Sequence, residues 1–151
     1  MEEEMSLEHI MPDEAARRLA EENYVYIDVR SMPEFEQGHP DPAVNIPILH
    51  ADIQTGQMTP NPDFLKVVQA NYDKDIKLVM GCRSGQRSAR AAELLLQNGY
   101  ETVVNMQCGF EGERDPFGQV VNPGWSATGL PSNTDNSAGI SYPSLAQKAG
   151  L

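Results

Sequence analysis

Cys82, Arg83, Arg87 and Arg90 lie within nine residues in the run VMGCRSGQRSARAAELLL, Val79 to Leu96. A thiol followed by three guanidinium groups is a combination suited to making and using a thiolate. Free cysteine ionises near pH ~8.5, and helix N-termini with nearby cations lower this into the range ~3.5–7.5. The run also sets the thiol between an apolar segment ending at Gly81 and a helix-forming segment. A strand, a tight loop and a helix N-terminus gather backbone N–H groups into an anion site. This basic cluster stands out in a chain with a formal net charge of -11. The pattern predicts a nucleophilic Cys82, with Arg83 and Arg87 steering an anionic reactant toward it. The competing reading is an inert core cysteine beside solvated arginines. The position at the carboxyl end of a strand, where α/β sheets hold ligands, favours the functional one.

The elements that must position this loop follow from periodicity and punctuation. PDEAARRLAEEN opens with a proline and two acids and spaces Ala15, Ala16 and Leu19 helically, which predicts a helix over about 12–22. YVYIDV, Tyr24 to Val29, is aromatic and β-branched, as in a strand. Residues 31–49 are proline-rich and read as loop, apart from a short strand at AVNI. Asn61 and Pro62 read as the start of a helix in which Phe64, Val67 and Val68 share a face. DIKLVM is a short apolar run of the kind buried on both faces of a parallel sheet. GQRSARAAELLLQNG is a helix with Ala91, Ala92, Leu95 and Leu96 inward and Gly99 as its left-handed stop, and TVVNM is a further strand. Strands alternating with helices predict an α/β architecture with a mostly parallel sheet and helices on both faces.

At 151 residues, 40% of them hydrophobic, the chain is sized for one core. Twenty-two acidic against 11 basic residues make nucleic acid and anionic membranes poor partners. No apolar run approaches the ~20 residues of a membrane span, and the start MEEEMSLEHIM has no secretory character. The expectation is a cytoplasmic protein whose two cysteines, Cys82 and Cys108, stay reduced. His9, His39 and His50 show no ligand spacing with each other or with the cysteines, so neither a metal nor a cofactor is expected. Residues 1–6 read as an acidic extension, 7–131 as the domain, and 132–151 as a flexible tail too poor in apolar residues to pack by itself.

Four segments in order resemble the rhodanese family of sulfurtransferases: YIDVRSMPEFEQGH, AVNIP, CRSGQRS and PGWSATGLP. The resemblance implies a rhodanese-like fold and a cysteine heading a six-residue loop that cradles a persulfide. Cys82 would take a sulfane sulfur from a small anionic donor such as thiosulfate and yield it to a thiol or a cyanide-like acceptor, or to a sulfur-accepting protein. Backbone N–H groups of Arg83, Ser84, Gly85, Gln86, Arg87 and Ser88 would hold the added sulfur. The alternative is a non-turnover persulfide carrier or redox-sensing module. Protein tyrosine phosphatases and arsenate reductases separate their cysteine and arginine by five residues. Here Cys82 and Arg87 are separated by four, and Ser88 stands where that arginine would fall, so this third reading is disfavoured.

Asp28 and Arg30 close a strand near the expected crevice and read as an ion-paired clamp supporting the loops. His39 reads as a structural turn residue in GHPDPA, where the family text is GHIPGA. Cys108 stands where the family commonly has the first of two glycines. A neutral buried thiol is the favoured reading, a resolving partner for Cys82 the alternative. The extra length before Trp125 brings Arg114, which either contacts substrate or decorates a surface loop. Trp125 itself reads as packing.

Overall fold

The computed structural model describes residues 7–151, so the acidic extension at 1–6 lies outside the described residues. In chain order the elements are β1 (Glu8–Ile10), α1 (Pro12–Glu21), β2 (Val25–Asp28), α2 (Met32–Glu36), β3 (His39–Pro40), β4 (Val44–Asn45), β5 (Leu49–Ala51), β6 (Met58–Pro60) and α3 (Phe64–Asn71). They continue with β7 (Leu78–Gly81), α4 (Gln86–Gln97), β8 (Val103–Met106), β9 (Glu113–Arg114), β10 (Val120–Asn122), a 3₁₀ turn at Trp125–Ala127, β11 (Ser132–Asn133) and α5 (Tyr142–Gln147).

Five strands form one parallel sheet in the order β1-β8-β7-β2-β4. Its central strand, β7, is buried at all four positions, which is why DIKLVM is continuously apolar. Side chains alternate across it. Leu78 and Met80 join Phe64 and Val67 of α3, Ala91 and Leu95 of α4, and Leu145 of α5 on one face. Val79 joins Tyr26, Ala15 of α1, Phe35 of α2 and Trp125 on the other. Helices therefore cover both faces, as the α/β reading requires. Each fully buried Leu, Phe or Val on these faces contributes about 1.5–3 kcal/mol. Trp125 packs edge-on to Tyr26 at 6.0 Å and donates its indole N–H to Pro131 O at 2.8 Å.

Three of the segments that differ from their sequence reading shape the fold around the loop. The proline-rich stretch contains α2, opened by a capping box in which the Ser31 N–H and hydroxyl both donate to the Glu34 carboxylate, at 3.1 and 2.9 Å. The helix expected from Asn61 starts at Phe64, because Asn61 forms a turn, its side chain accepting from Asp63 N at 3.0 Å. The third concerns residues 132–151, expected as a flexible tail: they fold back on the domain. β11 pairs with β3, His39 Nε2 bonds Asp135 O at 2.7 Å, and Asn71 donates to Leu145 O at 3.0 Å. The few apolar side chains of this segment, Leu145 and Ala146 with Tyr142 and Ala149, pack on the core beside α3.

Candidate active site

β7 delivers the chain to Gly81, and the residue has to be glycine: a Cβ there would overlap the Tyr26 hydroxyl. The next four residues, Cys82 to Gly85, turn back into α4. Gly85 occupies the left-handed region at φ 107 before the helix begins at Gln86. This turn brings the Gly85 N–H to 3.1 Å from Cys82 Sγ, and the first helical turn brings Ser88 Oγ to 3.3 Å. Cys82 is 1% exposed, so its sulfur meets these two groups with little competition from water.

The loop carbonyls are tied outward. Cys82 O accepts from Phe110 N at 2.8 Å and Arg83 O from Glu111 N at 2.9 Å. That contact needs Gly109, whose φ is 64 and whose Cβ would lie 2.5 Å from both carbonyl oxygens. Cys108, just before it, also has a positive φ, 75, which fits the glycine expected at that position and costs a non-glycine residue about 1–2 kcal/mol.

A cavity of about 580 Å³ opens over this loop, lined among others by Arg83, Ser84 and Gln86, by His9 and Asn105, and by Arg114. Arg114 comes from the extra segment before Trp125, which forms the β9–β10 hairpin, and donates to Gly118 O at 2.7 Å. The tip of this hairpin exposes Phe117 almost fully.

The sequence-derived residues divide. Cys82, Gly85 and Ser88 converge on the sulfur, and Arg83, Ser84 and Gln86 line the cavity. Arg87, expected to orient a donor, instead makes a bidentate ion pair with Glu34 of α2 at 2.8 and 3.0 Å. Burial alone would raise the Glu34 carboxyl, but hydrogen bonds and charge from Arg87 outweigh it and hold it at about 2. Arg83 pairs with Glu111 at 2.9 Å, but both side chains are about half exposed, so this pair is weak and exchangeable. Asp28 and Arg30 form a buried bidentate clamp with contacts of 3.0 and 2.7 Å, and Arg30 also donates to Gly38 O and covers the Phe110 ring at 4.6 Å. The clamp therefore holds the 108–111 segment that ties the loop.

Both cysteines are free. Cys108 Sγ lies 3.9 Å from Met11 Sδ, and burial, with Glu113, pushes its thiol up from the ordinary range. A resolving role gains nothing from these contacts. His39 is buried, stacked on Phe35 at 3.8 Å with both ring nitrogens on backbone carbonyls, which is a structural setting. No cluster of three or more His, Cys, Asp or Glu suited to a metal occurs among the described residues. Nor is any helix among them long and apolar enough to cross a membrane.

Sequence reasoning missed three polar residues. Glu34 holds Arg87. Asn105 receives the Ser88 hydroxyl at 2.5 Å, and its Nδ2 lies 3.1 Å from His9 Nδ1. A signal existed for Asn105: it is the one polar residue in the buried strand β8. His9 had none, being carried by a three-residue strand that only sheet pairing reveals.

Comparison with known proteins bears on this arrangement. One curated relative, "Senescence-associated protein DIN1" of Raphanus sativus, is 37% identical over 100 residues, 66% of this chain and 54% of its own. This chain thus spans about half that relative's length. "Thiosulfate sulfurtransferase 16, chloroplastic" of Arabidopsis thaliana is 33% identical, over 71% of this chain and 78% of its own. Among solved structures, the crystal structure of Rv0390 from M. tuberculosis superposes with a TM-score of 0.72 at 31% identity, covering 86% of this chain and 100% of that one. The model of the rhodanese-like domain matches residues 11–113, from the start of α1 through the cysteine loop to β9. On a match that spans well over half of its length and contains the whole cysteine loop, this chain belongs to the rhodanese-like domain family.

Proposed function

We propose that this chain is a sulfurtransferase that moves a sulfane sulfur from thiosulfate, or another persulfide donor, to a thiophilic acceptor through a persulfide on Cys82. The observation that carries this reading is the Gly85 N–H donating to Cys82 Sγ at 3.1 Å, from a loop whose residues Arg83 to Gln86 line an open cavity. The naming of one relative as a thiosulfate sulfurtransferase supports it.

The steps balance as two displacements. The Cys82 thiolate attacks the outer sulfur of thiosulfate; a new S–S bond forms, the bond to the sulfonate sulfur breaks, and sulfite leaves with the electron pair. An acceptor such as cyanide or a thiolate then attacks the outer sulfur and leaves as thiocyanate or a persulfide, restoring the Cys82 thiolate. The Gly85 N–H, on a loop whose carbonyls are already committed, stabilises sulfur-borne charge without reorganising. Arg83 and Arg114 give the cavity its cationic wall and draw in the anionic donor.

A second reading, a carrier that hands its sulfur to a protein, is favoured by one observation: the hairpin bordering the cavity exposes Phe117 at 89% and Val121 at 53%. Intact mass after thiosulfate treatment tests the chemistry shared by both. One added sulfur on the wild type and none on Cys82→Ser is expected, and no mass gain on the wild type removes the proposal. Multiple turnover with cyanide then separates enzyme from carrier.

A further inference from the structure

Beyond the loop, Cys82 is connected to the cavity by a chain of side chains that the sulfur chemistry above does not use. Ser88 Oγ lies 3.3 Å from Cys82 Sγ and 2.5 Å from Asn105 Oδ1; Asn105 Nδ2 lies 3.2 Å from Gly85 O and 3.1 Å from His9 Nδ1. Ser88 and Asn105 are buried at 0% and 2%, whereas His9 is exposed on the cavity wall.

Hydrogen counting fixes what this chain does. A serine hydroxyl has one hydrogen, an asparagine amide has two on nitrogen and none on oxygen, and a neutral imidazole has one. In the observed orientation both amide hydrogens go to Gly85 O and His9 Nδ1, so His9 accepts at Nδ1 and carries its hydrogen at Nε2. Asn105 Oδ1 takes the one Ser88 hydrogen, and Ser88 turns lone pairs toward Cys82. That arrangement suits a thiol, whose S–H donates to Ser88 Oγ, and opposes a sulfur anion.

Protonation of His9 from solvent places a hydrogen on Nδ1, which faces the amide hydrogens. Turning the amide resolves the conflict: Oδ1 then accepts from His9, Nδ2 donates to Ser88 Oγ, and the Ser88 hydrogen swings to Cys82 Sγ. Gly85 O keeps Ala89 N at 3.3 Å but then faces Oδ1, and one amide hydrogen gives up its acceptor; the charge on His9, bonded to Oδ1, has to offset this cost. No covalent bond is made or broken within the chain; one hydroxyl rotates, one amide turns, and His9 takes its proton from water.

We propose that His9 is a positioning residue for Cys82, setting through Asn105 whether the Ser88 hydroxyl is aimed at the sulfur. The inference rests on the assignment of Cys82 as the sulfur-carrying nucleophile, but it concerns the direction of hydrogen bonds, which is measured separately. Other charged groups face the two ends. His9 shares its cavity with Arg83, Glu113 and Arg114, while its neighbour Glu8 is held by Arg18. Cys82 is faced by Arg87 with its partner Glu34, and by Tyr26 of β2, beside the Asp28–Arg30 clamp. These groups are common to all variants of the test.

The test uses the full chain carrying Cys108→Ser, so that Cys82 is the one thiol. Thiolate absorbance is followed against pH in this parent and with His9→Ala or Ser88→Ala added, while the His9 ring resonances locate its protonation by NMR. The parent is expected to show a second, acid-side component coincident with the His9 step, holding about fivefold more thiolate there than His9→Ala, the effect of a hydrogen bond to a charged group less the weak one given up. His9→Ala and Ser88→Ala should each follow a single ionisation. Superposition of the parent and His9→Ala curves would overturn the proposal. So would persistence of the second component in Ser88→Ala, because His9 would then act by direct charge. Since His9 is exposed, its variant should fold. Intact-mass persulfide formation is scored on the same samples: its failure with the acid-side component present removes the sulfur-transfer reading and leaves the relay standing.

Discussion

Replacing Glu34 by glutamine should weaken the fold while making Cys82 more reactive. The Glu34 carboxylate receives four contacts: the Ser31 N–H and hydroxyl, and two from Arg87 at 2.8 and 3.0 Å. Although burial opposes it, Arg87 and Ser31 together hold this carboxyl at about 2 against an ordinary 4.5. A gap of that size corresponds to about 3 kcal/mol. Because the paired side chains are 20% and 25% exposed, solvent screening and the acceptor that glutamine keeps reduce the expected loss to about 1–2 kcal/mol. The sign follows from the depressed value. As pH falls, the unfolded chain takes up a proton at this carboxyl first, so the carboxylate's contribution is whole above about 4.5 and is lost as pH approaches about 2. Urea unfolding followed by the fluorescence of Trp125, the one tryptophan and a buried one, reads this directly. Wild type should exceed Glu34→Gln by about 1–2 kcal/mol at pH 7, with the difference closing through the acid range. Other carboxylates titrate equally in both proteins and cancel. Arg87, freed of its counter-charge, should meanwhile favour the Cys82 thiolate and speed its alkylation at neutral pH. Equal stability at pH 7, or a difference that stays constant to pH 2.5, would refute the reasoning.

Three further outcomes follow from particular contacts. Gly109→Ala should lose about 2–4 kcal/mol in thermal unfolding, since it combines a positive φ with a Cβ against the Cys82 and Arg83 carbonyls; an unchanged Tm would mean the loop is not tied there. Leu145→Ala should cost about 2–4 kcal/mol by denaturant unfolding if α5 belongs to the core, whereas a loss under about 0.5 kcal/mol would be that of a loosely attached tail. Tyr26→Phe should leave stability unchanged or raise it by up to about 1 kcal/mol, because the buried hydroxyl has no hydrogen-bond partner among the described residues. A loss larger than that would reveal a partner for it.

The framework was legible wherever the signal was local. Cys82, the turn at Gly85 and the helix behind them lie within a few residues, so the strand–turn–helix geometry could be read from its own text. The periodicities of β2, β7, α1 and α4 likewise report burial that each segment experiences along its own length. α2 was equally readable through its capping box, Ser31 with Glu34, but the surrounding prolines masked it. Such features depend on steric and hydrogen-bonding rules acting over a few bonds.

What only tertiary structure decided depends on which strands become neighbours. Glu34 meets Arg87 across 53 positions, and His9 meets Asn105 across 96, because the order β1-β8-β7-β2 sets the carboxyl ends of distant segments side by side. A separate antiparallel pair folds residues 132–133 onto β3. Sequence thus determined that a thiol would head a tight turn into a helix N-terminus. Which cation would be neutralised, and which polar side chains would reach the sulfur, was left to the sheet. Burial makes those distant pairings strong, and strand order, which no local residue pattern encodes, makes them neighbours.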